Sequence, residues 1–298
     1  MASFNPKNPI WYGAGAAVHI TNPMPGTSYY VTDTARGGDD ANDGLTLTTP
    51  CLTIEHVMTN HVVSGANDYI FVARIQVDAE PWPIDVPHSY VHIIGTPDQG
   101  SPSPLVAPDE NAHGFDVTSG GGVEIAGFLF SQDKAWLKAC INATAGSWMD
   151  NFHHNFFAWS SEAYDGILLG GGGGQTWIHD SYFGAHGFEH WGVYVADPMG
   201  RTRIEDNVFI VSGNSVTGAN GIVIGSANQC VIRNNVFQVP DSAAGEAIYI
   251  TGSTHTITGN VAMSGKVAPT LNPYRDTGAG SAWGANYIGI APAYPIAV

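Results

Sequence analysis

The sequence contains few basic residues and no long apolar run. Among its 298 residues, 10 are Lys or Arg and 26 are Asp or Glu, which gives a formal net charge of -16. Because nucleic-acid binding depends on clustered Lys and Arg, this balance argues against a nucleic-acid partner. No stretch of about 18 apolar residues is present, so we expect no membrane insertion.

Cysteine is also scarce. Cys51, Cys140 and Cys230 are too few and too scattered for a disulfide framework or a zinc site, and we expect buried reduced thiols. The first residues lack the basic segment and the long apolar stretch of a signal peptide. We therefore expect synthesis in a cytoplasm without that export route.

The sequence does contain an internal repeat, which runs from about residue 113 to residue 263. Short apolar cores recur at spacings of 26, 26, 26, 29 and 26, and their second residues are Phe115, Ile141, Ile167, Val193, Ile222 and Ile248. A second series recurs at spacings of 27, 26, 26, 28 and 25, and it starts at Ile125, Phe152, Ile178, Ile204, Ile232 and Ile257. A fixed period of this size indicates a stacked repeat protein.

The content of each repeat predicts the fold. The apolar cores are short, rich in Ile and Val, and bounded by turn residues, which leaves no room for a helix of three turns. Two or three short strands in about 26 residues fit one coil of a parallel β-helix. Leucine-rich repeats need regular Leu, and propeller blades need about 40 residues. We predict an all-β, right-handed parallel β-helix of about seven or eight coils, with a short N-terminal capping helix and extended terminal arms.

The chain divides into four predicted segments. Residues 1–28 contain four prolines and should form an extended arm. Residues 29–67 form a cap with a strand, an acidic Gly-rich loop and a short helix. The β-helix occupies residues 68–263, where the repeat stops. The tail, residues 264–298, should cover the last coil or clasp a partner.

Two columns of the second series have a structural interpretation. The fourth positions predict a ladder of stacked side chains at a coil corner that needs a left-handed bend, formed by Asn155, Ser181, Asn207, Asn235 and Asn260. The sixth positions predict an internal aromatic stack, formed by Phe130, Phe157, Phe183, Phe209 and Phe237. We expect neither column to be a ligand site.

The cap resembles a known family. A strand, a G-x-D-x-N-D-G-like loop, a proline and a Thr-Ile pair that opens a helix follow one another, with matching residues Gly38, Asp39, Asp40, Asn42, Asp43, Gly44, Pro50, Thr53 and Ile54. This order resembles the N-terminal cap of right-handed parallel β-helix proteins of the pectin-lyase-like family, which includes many phage tailspikes and other virion proteins. The resemblance covers about residues 29–263. It implies the fold and is nearly silent on chemistry.

The acidic loop is also a candidate calcium site. Calcium takes oxygen ligands from closely spaced side chains, which here are Asp39, Asp40, Asn42 and Asp43. The loop lacks the full D-x-D-x-D-G spacing with a distal Glu. Asp and Asn also close such turns by bonding to their own backbone, so the structural interpretation stays open.

The third positions of the second series provide candidate catalytic residues. Asp180 and Asp206 are expected about 5 Å apart, close to the separation of a retaining glycosidase pair. Glu205 and His179 lie beside them, as a polysaccharide hydrolase would require. Polar residues next to an Asn corner also cap turns, which is the structural alternative.

A histidine metal site is a further alternative in the same repeats. It would need the rings of His153, His154 and His179 to converge on one ion. Strand alternation instead predicts His153 and His154 on opposite faces of the sheet.

Three functions are compatible with these patterns. Solenoids of this family on virions are commonly homotrimers, so the resemblance implies a homotrimer. We predict a non-enzymatic phage surface spike or capsid decoration protein without a cofactor, located on the virion surface and bound to capsid or tail proteins through its arms. The first alternative is a tailspike-type polysaccharide depolymerase, a glycoside hydrolase or lyase. The second is an adhesin that holds host surface glycan through exposed Trp148, Trp159, Trp177 or Trp191.

Overall fold

The computed structural model describes residues 10–12, 16–18, 26–97, 103–108, 112–118, 120–131, 138–144, 148–158, 165–171, 174–184, 191–196, 200–211, 220–239, 246–264, 273–289, 291–293 and 296–297. Three sheets dominate this part of the chain. Sheet 1 contains ten described parallel strands: Ser28–Val31, Asp68–Val72, Val91–Gly95, Glu124–Ala126, Asn151–His153, Trp177–His179, Arg203–Glu205, Val231–Arg233, Thr256–Thr258 and Ala282–Trp283.

The other two sheets contain nine described strands each. Sheet 2 consists of Leu105–Val106, Leu129–Phe130, Phe156–Phe157, Tyr182–Phe183, Val208–Ile210, Val236–Val239, Val261–Ser264, Asn286–Ile288 and the antiparallel Ala291–Ala293. Sheet 3 consists of Ile84–Val86, Phe115–Val117, Ile141–Ala143, Asp165–Leu169, Trp191–Val195, Asn220–Ile224, Ile248–Ile250, Tyr274–Asp276 and Ile296–Ala297.

The chain passes from sheet 1 to sheet 2 to sheet 3 and then starts the next coil. Strands one coil apart therefore pair in parallel, so that Ile178 lies in register with Phe152 and Ile204. Seven successive coils, from Val91 to Asp276, contain a described strand of every sheet. The predicted all-β parallel β-helix is confirmed.

The core of the solenoid consists of stacked columns of apolar side chains. The middle residue of each sheet 1 strand points inward, and the repeated isoleucines at these positions are fully buried. The predicted aromatic column is present on sheet 2, where the ring of Phe183 stacks on those of Phe157 and Phe209 with centroids 4.5 Å and 4.4 Å away. Parallel pairing places like residues over one another, so each period in the sequence becomes a packed column.

A ladder of side-chain amides follows sheet 1 at the corner toward sheet 2. The Oδ1 atom of Asn207 accepts a hydrogen bond from the Ser181 backbone N–H at 3.0 Å, and Asn235 Oδ1 accepts one from the Asn207 N–H at 3.1 Å. The Nδ2 group of Asn207 donates to the Ile178 carbonyl at 3.1 Å. Buried backbone groups at the corner therefore have partners.

The left-handed bend lies one residue earlier than the sequence analysis placed it. Positive φ angles occur at the position before the ladder, in His154, Asp180, Asp206, Asn234 and Gly259. The ladder residues lie just past this bend, where their amides reach the neighbouring coil. The left-handed backbone therefore belongs to the column that contains the candidate aspartates.

The predicted end of the solenoid at Met263 is wrong. Strands Tyr274–Asp276, Ala282–Trp283 and Asn286–Ile288 continue the three sheets in parallel. Asn286 also extends the ladder, because its Oδ1 accepts from the Asn260 N–H at 3.0 Å. The tail therefore adds a coil before the antiparallel strand Ala291–Ala293.

The described residues of the predicted N-terminal arm form two short strands. In the N-terminal segment, Ile10–Tyr12 and Ala16–Val18 pair as antiparallel strands, and the remaining residues before Gly26 lie outside the described part. The predicted single extended arm therefore contains a paired segment.

The N-terminal cap contains the predicted helix, Ile54–Asn60. Thr53 caps it by accepting from the His56 N–H at 3.1 Å, and Ile54, Val57 and Met58 face the core. Within the described residues, no helix has the length and apolar character needed to cross a membrane.

Candidate functional site

The outward face of sheet 1 carries a row of titratable side chains, which we call the sheet-1 strip. Its residues form two columns, one on each side of the buried middle column. One column contains His92, Glu124, Asn151, Trp177 and Arg203, and the other contains His153, His179, Glu205 and Arg233. Neighbours along a column are one rung apart, about 4.8 Å.

Glu124 joins two histidines of the strip. His92 Nδ1 lies 2.6 Å from Glu124 Oε2, and His153 Nε2 lies 2.6 Å from Glu124 Oε1. Burial by itself would raise the pKa of Glu124, but the hydrogen bonds from His153 and His92 lower it to about 2. The carboxylate is therefore ionised, and both facing ring nitrogens must be donors.

His153 and His154 converge, which corrects the prediction that they occupy opposite faces. Their Nδ1 atoms lie 2.6 Å apart. Alternation ends at His153 because the backbone of His154 is left-handed, with φ of 53°. With one proton on each ring, His153 donates through Nε2 to Glu124 and accepts through Nδ1 from His154.

This arrangement leaves Nε2 of His154 as a basic lone pair. That nitrogen makes no hydrogen bond within the described residues. Burial, and next the neighbouring His153, lower the pKa of His154 to about 4. His154 is therefore neutral near pH 7 and is half-buried at the edge of the strip.

His179 has the opposite character. Its Nδ1 lies 2.7 Å from Asp180 Oδ2 and its Nε2 lies 3.0 Å from Asn151 Oδ1, so both nitrogens face acceptors. The hydrogen bond from His179 lowers the pKa of Asp180 below its usual range. The His179 ring stacks on that of His153 at 4.8 Å between centroids.

Glu205 is enclosed by two arginines. Its side chain is 1% exposed, and it accepts from Arg203 Nη2 at 2.6 Å and from Arg233 Nε. The Arg203 guanidinium also lies over the Trp177 ring, with Cζ 5.0 Å from the ring centroid. The two guanidinium groups therefore share one buried carboxylate.

Asp180 and Asp206, the predicted catalytic pair, occupy equivalent positions in successive coils. Both lie at the left-handed turn that follows a sheet 1 strand, with φ of 50° and 59°. A glycosidase needs one carboxylic acid with a raised pKa, whereas the pKa of Asp180 is lowered. Glu205, the third predicted carboxylate, is closed off by its arginines.

The predicted calcium residues of the cap are engaged with their own loop. Asp39 accepts from the Ala41 N–H, Asp43 from the Leu45 N–H and Thr49 Oγ1, and Asp40 from the N–H groups of Leu52 and Thr53. Asn42 Nδ2 donates to the Pro50 carbonyl at 2.8 Å. The side chains thus close turns and hold the start of the helix.

The predicted aromatic residues are distributed over different sites. Trp148 is 47% exposed and Trp177 is 37% exposed, while Trp191 is half-buried on sheet 3. Trp159 lies outside the described residues. Of these, Trp177 belongs to the sheet-1 strip.

Glu124 and His92, which determine the hydrogen bonds of the strip, were not predicted from the sequence. Glu124 precedes Ile125 in the second series, in the same position as Asn151, Trp177 and Arg203, so the repeat alignment could have found it. His92 lies in an earlier coil, before the periodic region starts, and no repeat signal marks it.

No protein-family model and no curated protein matches the chain. Its structure is similar to pectate lyase Pel9A, with a TM-score of 0.53, 14% identity, and coverage of 90% of this chain and 81% of that one. It is also similar to the surface adhesin PfbA of Streptococcus pneumoniae, with a TM-score of 0.52, 14% identity, and coverage of 74% and 72%.

An alginate lyase from a Paenibacillus species matches with a TM-score of 0.50, 16% identity, and coverage of 82% and 98%. Identities this low establish the fold and leave the activity open. None of these three neighbours is named as a virion protein. The chain is a right-handed parallel β-helix, and its structural neighbours are pectate lyase-like.

Proposed function

We propose that this protein binds an acidic polysaccharide along the sheet-1 strip and cleaves it by β-elimination, with His154 as the general base. The observation that carries the proposal is the hydrogen-bonded chain from Glu124 through His153 to His154, which leaves Nε2 of His154 available to accept a proton. The lyase alternative of the sequence analysis is therefore preferred to the hydrolase alternative.

The electrostatics of the strip suit an anionic substrate. The protein has a net charge of -16, yet the strip brings the guanidinium groups of Arg203 and Arg233 together around the single carboxylate of Glu205. These cations can pair with carboxylates of uronate residues. A bound carboxylate beside His154 would also raise the pKa of this histidine toward neutral pH.

The chemical step is balanced without a further reactant. His154 Nε2 takes the proton next to the uronate carboxylate, and the electron pair of that C–H bond forms the new carbon–carbon double bond. The glycosidic oxygen leaves with the electrons of its bond to carbon and takes a proton from water, and the hydroxide so formed takes the proton from His154, which restores both. Positive groups of the strip stabilise the charge that develops on the carboxylate.

The carboxylates of the strip argue against hydrolysis. A glycosidase needs a protonated carboxyl group that donates to the leaving oxygen. Glu124 and Asp180 have lowered pKa values, and Glu205 is held between two arginines. Glu124 and Asp180 are therefore suited to remain ionised.

The direct test uses a panel of uronate-containing and neutral polysaccharides and the near-ultraviolet absorbance of the unsaturated product. His154→Asn keeps a residue that tolerates the left-handed backbone, as Asn234 shows at the equivalent position. We expect its kcat to fall about 10²–10⁴-fold. Asp206→Asn, at the same position in another coil, is the matched control and should stay within a few-fold of the wild type. Absence of unsaturated product from every polysaccharide, or full activity of His154→Asn, would overturn the proposal.

Glycan binding without cleavage is the second candidate, favoured by the exposed rings of Trp148 and Trp177. It predicts that the wild-type protein retains a polysaccharide on an affinity gel without forming unsaturated product. The virion location, the homotrimer and the contacts with capsid or tail proteins remain predictions that rest on the family resemblance.

A further inference from the structure

The cap contains a cluster of metal-ligating side chains that is independent of the sheet-1 strip. Cys51, His56 and His61 each offer one ligand atom, and these three atoms lie within 4.8 Å of one another. Cys51 is fully buried beside the first sheet 1 strand, where it forms an isolated bridge with Val31. His56 lies on the capping helix and His61 directly follows it.

The local fold holds these three residues in place. Ile54, Val57 and Met58 anchor the helix in the core, which turns His56 toward the end of the loop that contains Cys51. His61 continues the helix through its N–H, which donates to the Val57 carbonyl. Its ring stacks on Tyr29 with centroids 5.5 Å apart, and the Tyr29 hydroxyl donates to the His61 carbonyl at 3.1 Å.

A second observation indicates that a ligand is missing from this cluster. The Nε2 atom of His61 is buried and has no hydrogen-bond partner. A buried polar atom without a partner is destabilising, and such atoms are rare unless an ion, a water molecule or a functional role accounts for them. The atom belongs to a ring whose position is already determined by Tyr29, so a cation beside the thiol would satisfy it.

The backbone of the acidic loop passes close to the thiol. Gly44 faces Cys51, and a Cβ atom at this position would lie 2.9 Å from Sγ. Asp40 and Asp43 are near enough for their charges to act on Cys51. The neighbouring carboxylates suit a cation, which would replace the weak contact between Cys51 Sγ and the Asn42 carbonyl at 3.6 Å.

The donor set determines which cation fits. One sulfur and two imidazole nitrogens are ligands for zinc and other borderline or soft metals, whereas calcium and magnesium require oxygen. At bond lengths of about 2.3 Å to sulfur and 2.0–2.1 Å to nitrogen, tetrahedral ligands lie about 3.3–3.6 Å apart. Separations of at most 4.8 Å thus need a closure of at most about 1.5 Å.

We propose that Cys51, His56 and His61 bind one zinc ion, with water in the fourth position. The ion would join the acidic loop, the capping helix and, through Tyr29, the first strand of sheet 1. It would hold the cap on the open end of the solenoid. The site differs from the calcium site predicted in the same segment in both its residues and its metal.

The test measures metal content and spectrum of the full-length, tag-free protein. After equilibration with zinc and removal of excess, we expect one zinc per chain. His56→Gln and His61→Gln should each weaken zinc binding at least tenfold in competition with a chromogenic chelator. Cys140→Ala removes another buried thiol outside the cluster and is the matched control, which should bind like the wild type.

Cobalt substitution makes the test independent of whether the variants fold. The wild-type protein loaded with cobalt should show a thiolate-to-metal charge-transfer band together with the intense visible bands of tetrahedral cobalt. The chelator should lower the melting temperature of the wild type and leave that of His61→Gln unchanged. A stoichiometry far below one, a cobalt spectrum without the thiolate band, or undiminished zinc binding by both histidine variants would refute the site.

Discussion

The Nδ1 atoms of His153 and His154 lie 2.6 Å apart, so one of these adjacent rings must donate a hydrogen bond to the other. Because Glu124 accepts from the far nitrogen of His153, the direction of the whole chain is determined by one carboxylate. Glu124 is therefore a positioning residue in the proposed reaction, and His154 is the group that meets the substrate.

The pH dependence of the proposed reaction follows from His154. The base must be unprotonated, and its pKa in the free enzyme is about 4. We expect kcat/KM to rise with pH through about 4 and then reach a plateau, because this parameter reports the free enzyme. The rise in kcat should lie at higher pH, because the bound carboxylate favours the protonated ring. Initial rates measured across the pH range give both profiles. If kcat and kcat/KM rise at the same pH, the anionic substrate is contradicted.

The stability of the solenoid should depend on Asp165. Burial raises its pKa to about 7, and its Oδ1 has no hydrogen-bond partner. The folded carboxyl group keeps its proton up to about pH 7, whereas the unfolded group loses it near pH 4. Stability should thus fall as pH rises from about 4 to 7, by up to about 1.4 kcal/mol per pH unit, and stay level above 7.

Asp165→Asn removes this titration and should flatten the slope. Urea unfolding at several pH values measures the difference between variant and wild type. Asp206→Asn, which changes an exposed carboxylate, is the control and should leave the slope unchanged. Parallel stability curves for Asp165→Asn and the wild type would show that the buried carboxyl group does not titrate in this window.

The amide ladder should contribute strongly to stability. Asn207→Ala leaves the buried Ser181 N–H without its partner, which costs about 1–3 kcal/mol, and removes further hydrogen bonds such as that to the Ile178 carbonyl, each worth about 0.5–1.5 kcal/mol. We expect a loss of about 2–5 kcal/mol in the free energy of unfolding. Asn207→Ser should lose less, because Ser181 already fills this column and accepts from the Asn155 N–H at 3.2 Å.

Thermal and urea unfolding of the two Asn207 variants make the comparison. A change below about 0.5 kcal/mol for Asn207→Ala would be typical of an exposed surface site and would contradict a role of the ladder in stability.

Sequence periodicity was sufficient to predict the coils because parallel pairing converts equal spacing into contact. Ile178 meets Phe152 and Ile204 for this reason, and the phenylalanine column follows in the same way. The last coil escaped prediction because Tyr274 and Trp283 occupy positions that Ile fills elsewhere. The side chains of this coil differ in size from those of the others, although they point toward the core in the same way.

The chemistry of the strip was less predictable. Alternation assigns His153 and His154 to opposite faces, and the left-handed backbone of His154 overrides it. The partner of His153 is Glu124, 29 residues away, whose role depends on which column it joins. The cluster at Cys51 was missed for a related reason, since two of its three ligands are histidines and cysteine spacing carries no signal for them.

The left-handed turn after the central sheet 1 strands separates chemistry from folding. His154, Asp180, Asp206, Asn234 and Gly259 occupy equivalent places with nearly the same backbone conformation. The buried middle column and the amide ladder on either side hold that backbone whichever residue is present. A single substitution at one of these turns can therefore introduce a base, an acid, an amide or no side chain. The solenoid thus provides a row of interchangeable positions, spaced one rung apart, in which a new site can arise without repacking the core.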